Sequence, residues 1–185
     1  MTRSRPRTDL LVATLVAAAT AAAAGCADLE TGPVPEPTPA CVRKDGPLPL
    51  EKLSDYCFFE GEMKELAPAK GVVPYDVAAA LWSDHAAKQR LIVLPAGKKI
   101  GFDAGEEWQF PLGTILVKTF SFYDDFRDPT SPRHILETRL LTLGETGWVG
   151  DVYRWNDEQT EAVRMVAGER VDVSYIDESG EAAQE

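Results

Sequence analysis

The chain is expected to be mainly β (α+β): an antiparallel sheet, sandwich or partly closed barrel with a few short helices. Three observations carry that expectation. Residues 110–122 (FPLGTILVKTFSF) form the longest strongly β-prone run, with β-branched Ile115, Val117 and Thr119 and aromatic Phe120 and Phe122. Residues 134–143 and 148–155 are two more strand-like runs, joined by Gly144-Glu145-Thr146-Gly147 as a hairpin loop. Helical periodicity is scarce, while 14 Gly and 13 Pro punctuate the 185 residues.

The N-terminus reads as a targeting segment. Arg3, Arg5 and Arg7 precede an alanine-rich apolar stretch over residues 10–24, which is short for a membrane span. Ala23-Ala24-Gly25-Cys26 has the form of a bacterial lipobox. Residues 1–25 are therefore expected to be a signal peptide, and Cys26 the lipidation site that anchors the chain to a bilayer. Ala27, not Asp, follows the cysteine, so inner-membrane retention is not indicated. The expected location is the cell envelope, lipid-anchored at the outer membrane and facing the periplasm or the cell surface. Residues 26–40 are polar and proline-rich and are expected to be a disordered tether.

Cys41 and Cys57 remain once Cys26 is lipidated, and export places them in an oxidising compartment. A disulfide between them would close a loop around residues 42–56 within an N-terminal segment spanning residues 41–70; a metal or haem ligand role is the alternative, without a Cys-x-x-Cys setting to favour it. Residues 50–56 are expected to make one or two helical turns after Pro49.

Residues 71–185 are the expected β-rich domain. Propensity makes residues 77–90 helical, with Asp76 as N-cap and Trp82-Ser83-Asp84 as an interruption. Residues 89–94 and 99–102 read as strands. Both faces of the 110–122 strand are largely apolar, so it is expected to be central and covered on both sides. Residues 123–133 form a loop whose Asp124, Asp125 and Asp128 lack EF-hand spacing. Residues 156–166 open with an N-cap and acidic first turn and read as a short helix. Residues 170–176 read as a strand, with a hairpin partner expected to begin where the chain ends, as if the domain were cut off from something downstream.

Lys118 lies between Leu116 and Phe120, where an ammonium needs water or a carboxylate. Strict alternation places Ile135, Glu137, Arg139 and Leu141 on one face of the next strand. Lys118 is therefore expected within ion-pair reach of Glu137, with Arg139 competing, as a structural ion network or a ligand or partner site. By the same alternation His134 and Glu137 point to opposite faces, against a shared metal site. Ser83, Asp84 and His85 are adjacent in sequence and do not face one another as a catalytic triad requires. No nucleophile–base pair, metal cluster or paired-carboxylate motif stands out, and catalysis is assigned to no residue. The net charge of −11 argues against a nucleic-acid partner.

Four ordered segments over roughly residues 70–180 resemble the N-terminal, non-haem region of a bacterial family of di-haem c-type cytochrome lipoproteins. They are Gly71-Val72-Val73-Pro74-Tyr75 with Leu81-Trp82-Ser83-Asp84, Lys88 and Arg90; Phe110-Pro111-Leu112-Gly113-Thr114 with Val117-Lys118-Thr119-Phe120; Glu137-Thr138-Arg139-Leu140-Leu141; and Trp155-Asn156-Asp157 with Gln159-Thr160-Glu161-Ala162. In that family Leu-Trp-Ser-Asp often follows proline, which argues against one continuous helix over 77–90. The family's Cys-x-x-Cys-His haem motif lies downstream of the matched region and is absent from this sequence. The resemblance implies an accessory or binding domain of a c-type cytochrome system, with haem c only if a downstream region supplies its attachment motif. Its candidate ligand or partner cluster is Trp82, Asp84, Lys88, Arg90, Lys118, Glu137, Arg139 and Trp155. The alternative is a stand-alone envelope enzyme or ligand-binding lipoprotein.

Overall fold

The computed structural model describes residues 41–185. The expectations for the signal peptide, Cys26 and the tether fall outside the described residues.

The centre is a six-stranded antiparallel sheet in the order β1-β2-β3-β4-β5-β6, an open meander not closed into a barrel. Its strands are β1 (Val72–Pro74), β2 (Ala87–Val93), β3 (Ile115–Tyr123), β4 (Arg133–Gly144), β5 (Gly147–Trp155) and β6 (Ala162–Met165). A separate two-stranded hairpin joins β7 (Ser174–Ile176) to β8 (Ala182–Gln184). Helical structure among the described residues is confined to two short 3-10 turns, Ser54–Tyr56 and Met63–Glu65. The mainly β expectation holds, and β3 lies inside the sheet between β2 and β4.

The inner face of the sheet carries the core. Leu91, Val117 and Leu140 oppose one another across β2, β3 and β4, and all are buried. Tyr153 and Trp155 of β5 continue that layer. The N-terminal segment closes over it with Leu50, Leu53, Tyr56, Phe58, Phe59 and Leu66. Cys41 and Cys57 are disulfide-bonded with Cα atoms 5.6 Å apart, so the start of this lid is covalently closed.

Polar groups register the lid. Tyr153 donates its hydroxyl proton to the Leu50 carbonyl at 2.6 Å. The 2.8 Å contact between Tyr56 and Tyr153 must then use the Tyr56 proton, and Tyr56 accepts from the Leu50 amide at 2.9 Å. Burial, first, and the Tyr56 hydroxyl, second, raise the Tyr153 pKa, so the phenol stays neutral and the network intact. Leu53 N–H donates to Ala162 O, and Arg164 N–H to Glu51 O, both at 2.9 Å. The lid thereby occupies hydrogen-bonding groups that edge strand β6 would otherwise leave open.

Several expectations are corrected. Residues 77–90 are not a helix. β1 returns antiparallel on β2, pairing Pro74 with Leu91, so the chain between them must reverse rather than advance along an axis. The reversal into β2 is a tight turn closed by Ala86 N–H to Ser83 O, with Asp84 at φ 41° and His85 at φ 57°. Two consecutive left-handed residues cannot sit inside an α-helix. Residues 156–166 are the β5–β6 hairpin: Asn156 N–H bonds Glu161 O, and the Asn156 side chain accepts the Thr160 and Glu161 amides. The helix-capping residue here organises a loop instead. Residues 99–102 give only a bridge between Gly101 and Gln109. The 170–176 strand shrinks to β7, and its hairpin partner is present as β8.

Strict alternation on β4 also fails. Phe120 opposes Glu137, yet Ser121 opposes Ile135, leaving Leu136 as the extra residue of a bulge. The bulge turns Ile135 into the core, 1 % exposed, and carries His134 into the row of Phe122. His134 and Glu137 thus share the outer side, and His134 pairs with Asp124 at 3.0 Å.

Candidate functional site

The outer face is ordered in rows that cross the strands. Val73, Ile92, Leu116, Leu141 and Gly150 are successive partners in one row. The next holds Arg90, Lys118, Arg139, Val152 and Met165. The third holds Lys88, Phe120, Glu137, Arg154 and Val163. Three cations therefore stand side by side at Arg90, Lys118 and Arg139, in a chain whose net charge is −11. Like charges directly opposite one another destabilise a sheet.

Two of the three cations are matched locally. Arg90 binds Asp76 at 3.1 Å. Arg139 binds Glu137, two residues away on the same strand, at 2.6 Å. Lys118 has no carboxylate within ion-pair distance among the described residues. It rests on the Phe120 ring with Nζ 4.7 Å from the centroid, while the Arg139 guanidinium lies 4.8 Å from the same centroid. Partial burial, first, and then the charges of Arg90, Lys88 and Arg139 pull the Lys118 pKa below the ordinary lysine value; Glu137 opposes them. The expected Lys118–Glu137 ion pair does not form. Glu137 faces Phe120 and is held by Arg139, because the observed register puts Arg139, not Glu137, opposite Lys118.

Five of the eight cluster residues thus share this face: Lys88, Arg90, Lys118, Glu137 and Arg139. Trp155 leaves the cluster. It is 1 % exposed on the inner face and donates its indole N–H to Thr138. Trp82 is 69 % exposed and packs edge-on against His85, with centroids 4.3 Å apart. Asp84 lies in the left-handed turn at the rim of the groove described next.

Sequence reasoning missed that groove. The chain after β6 crosses back over the outer face and forms an open groove of about 540 Å³ with Phe120, Phe122, Leu136 and Val152. Met165, Val171 and Val173 complete its apolar walls. Tyr175 of β7 packs against Phe122, with centroids 5.2 Å apart. β3 is therefore covered on its outer side near Phe122, whereas Leu141 in the row of Leu116 remains 44 % exposed. The signal was the run of apolar residues on both faces of β3; which segment would cover the outer one was not encoded locally.

The Asp-rich loop is used internally. Arg127 holds Asp125 and lowers its pKa to about 2, and Asp128 accepts the Thr130 amide and hydroxyl. Covalent haem c requires two closely spaced thiols followed by histidine. The chain's cysteines are at 26, 41 and 57, and the last two are bonded to each other, so these residues do not fit that group. Comparisons with known families, with curated proteins and with solved structures find no match to this chain.

Proposed function

We propose that this chain is the accessory docking domain of a lipid-anchored envelope protein, binding an anionic surface of a c-type cytochrome module through the outer sheet face. The supporting observation is the Arg90–Lys118–Arg139 row, with one cation lacking a carboxylate partner among the described residues, on a sheet whose other face holds the core. A cationic row of this kind costs folding energy. An anionic partner would offset that cost. The four-segment resemblance names the partner class, and the lipobox at Cys26 supplies the anchoring. The domain acts by binding and orientation, with electron transfer left to the partner's haem.

Titration of the full-length chain with an acidic c-type cytochrome tests this reading. Binding should weaken steeply as salt rises from about 50 to 200 mM, because the contacts are exposed charges. Arg139→Glu should weaken it further. Salt-independent binding, or equal affinity for wild type and Arg139→Glu, would overturn the proposal.

A further inference from the structure

We infer that the open groove is a small-molecule site for an organic cation, with an alkylated ammonium head at its Asp84–Glu185 end and an apolar body along its walls. Its volume of about 540 Å³ lies in the range of small-molecule sites, roughly 300–1,000 Å³. Phe122, Leu136, Val152, Val171 and Val173 give it apolar walls. Leu136 is the extra residue of the β4 bulge.

The charged groups on the lining fix the sign of the head. Four carboxylates line the groove, at Asp84, Glu137, Glu169 and Glu185, against two guanidiniums, Arg139 and Arg154. Both guanidiniums are taken: Arg139 binds Glu137 at 2.6 Å, and Arg154 lies 3.6 Å from Glu169. Asp84 and Glu185 have no cation within ion-pair distance among the described residues. These two share one end of the groove. Glu185 exchanges backbone hydrogen bonds with Val173 at 2.8 and 2.9 Å and accepts from the Tyr175 hydroxyl at 3.5 Å. Asp84 acts on that same hydroxyl: burial first, then Glu185, and more weakly Asp177 and Asp84, raise the Tyr175 pKa.

The rings at this end point the same way. Tyr175 packs on Phe122 at 5.2 Å and on His85 at 5.9 Å, and His85 on Trp82 at 4.3 Å, between ring centroids. Aromatic side chains thus run from the groove wall at Phe122, past the turn that holds Asp84, to an indole that is 69 % exposed. Rings and carboxylates together suit an alkylated ammonium, because a ring face attracts positive charge without needing a hydrogen bond from it. Lys118 and Phe122 are four positions apart on β3, which sets the cationic row roughly 13 Å from this end.

The site does not depend on the proposed cytochrome contact; Arg139 alone is common to both. Calorimetric titration of the full-length chain with octyltrimethylammonium, octanol, octanoate and tetramethylammonium separates the contributions. Octyltrimethylammonium should bind about tenfold more tightly than octanol, and octanoate more weakly than either. Tetramethylammonium should bind far more weakly than its octyl relative, since it lacks the chain that the walls would bury. The double variant Asp84→Asn with Glu185→Gln should lose the preference for the cation over the alcohol and keep its affinity for the cytochrome. Asn tolerates the left-handed backbone of position 84 as Asp does, so the turn is retained. Val171→Trp should abolish binding of both octyl ligands by filling the groove. Equal affinity for cation and alcohol, tighter binding of octanoate, or an undiminished preference in the double variant would overturn the assignment. The last result would trace the attraction to the net charge of −11 and not to this end of the groove. The wild-type series decides the head-group question even if a variant does not fold.

Discussion

One sheet presents two faces of opposite construction. On the inner face, Val117, Thr119, Leu140, Thr138, Tyr153 and Trp155 are all buried, and their polar atoms are matched: Thr119 to Thr138 at 2.9 Å, Trp155 to Thr138 at 3.0 Å, Tyr153 to Leu50 at 2.6 Å. On the outer face, positions alternating with these along the same strands set cation against cation. The backbone ladder serves both faces equally, so the difference lies in the side chains. A satisfied, apolar face returns free energy to folding; a row of like charges returns it only on meeting an anion.

Substitutions on the inner face should have the largest effect on stability. Trp155→Ala should destabilise by about 3–5 kcal/mol, since losing a fully buried indole leaves a cavity and takes from the Thr138 hydroxyl one of its two partners, Thr119 remaining. A denaturant midpoint checks it. Cys57→Ala should cost less, about 3 kcal/mol on the chain-entropy model, for the bond closing a sequence separation of 16. A non-reduced peptide digest of the wild type should show the Cys41 and Cys57 peptides joined.

The outer face should respond differently. Lys118→Met should stabilise or be neutral, by about 0–1 kcal/mol, because it removes a charge opposed to Arg90 and Arg139. Its pH dependence has a fixed sign. Lys118 is less basic folded than unfolded, so between the two pKa values the unfolded chain binds more protons. Wild-type stability should therefore rise relative to Lys118→Met as pH approaches the unfolded lysine value of 10.5 from below. Parallel pH profiles for the two proteins would contradict this.

How much was legible follows the same division. β3, β4 and β5 were readable because β-branched and aromatic runs, ended by glycine loops, report local preference. The Cys41–Cys57 bond was readable from the cysteine count together with the expectation of export. The 77–90 segment misled because its alanines favour a helix locally, while pairing of β1 on β2 demands a reversal. Asn156 misled because one side chain serves helix caps and tight loops alike. The Lys118–Glu137 pairing failed on register: an alternation rule fixes faces, not partners, and cannot see a bulge at Leu136. The basic cluster was legible as a set, but its arrangement as a row, and the loss of Trp155 to the core, required the pairing.

On the proposed function the outer face trades stability for binding, and Lys118→Glu separates the two. The substitution puts a carboxylate between Arg90 and Arg139, so the denaturant midpoint should rise. In the same protein, affinity for an acidic c-type cytochrome should fall by tenfold or more. A lower midpoint with undiminished affinity would contradict the account, because Lys118 would then belong to the fold and not to the binding surface.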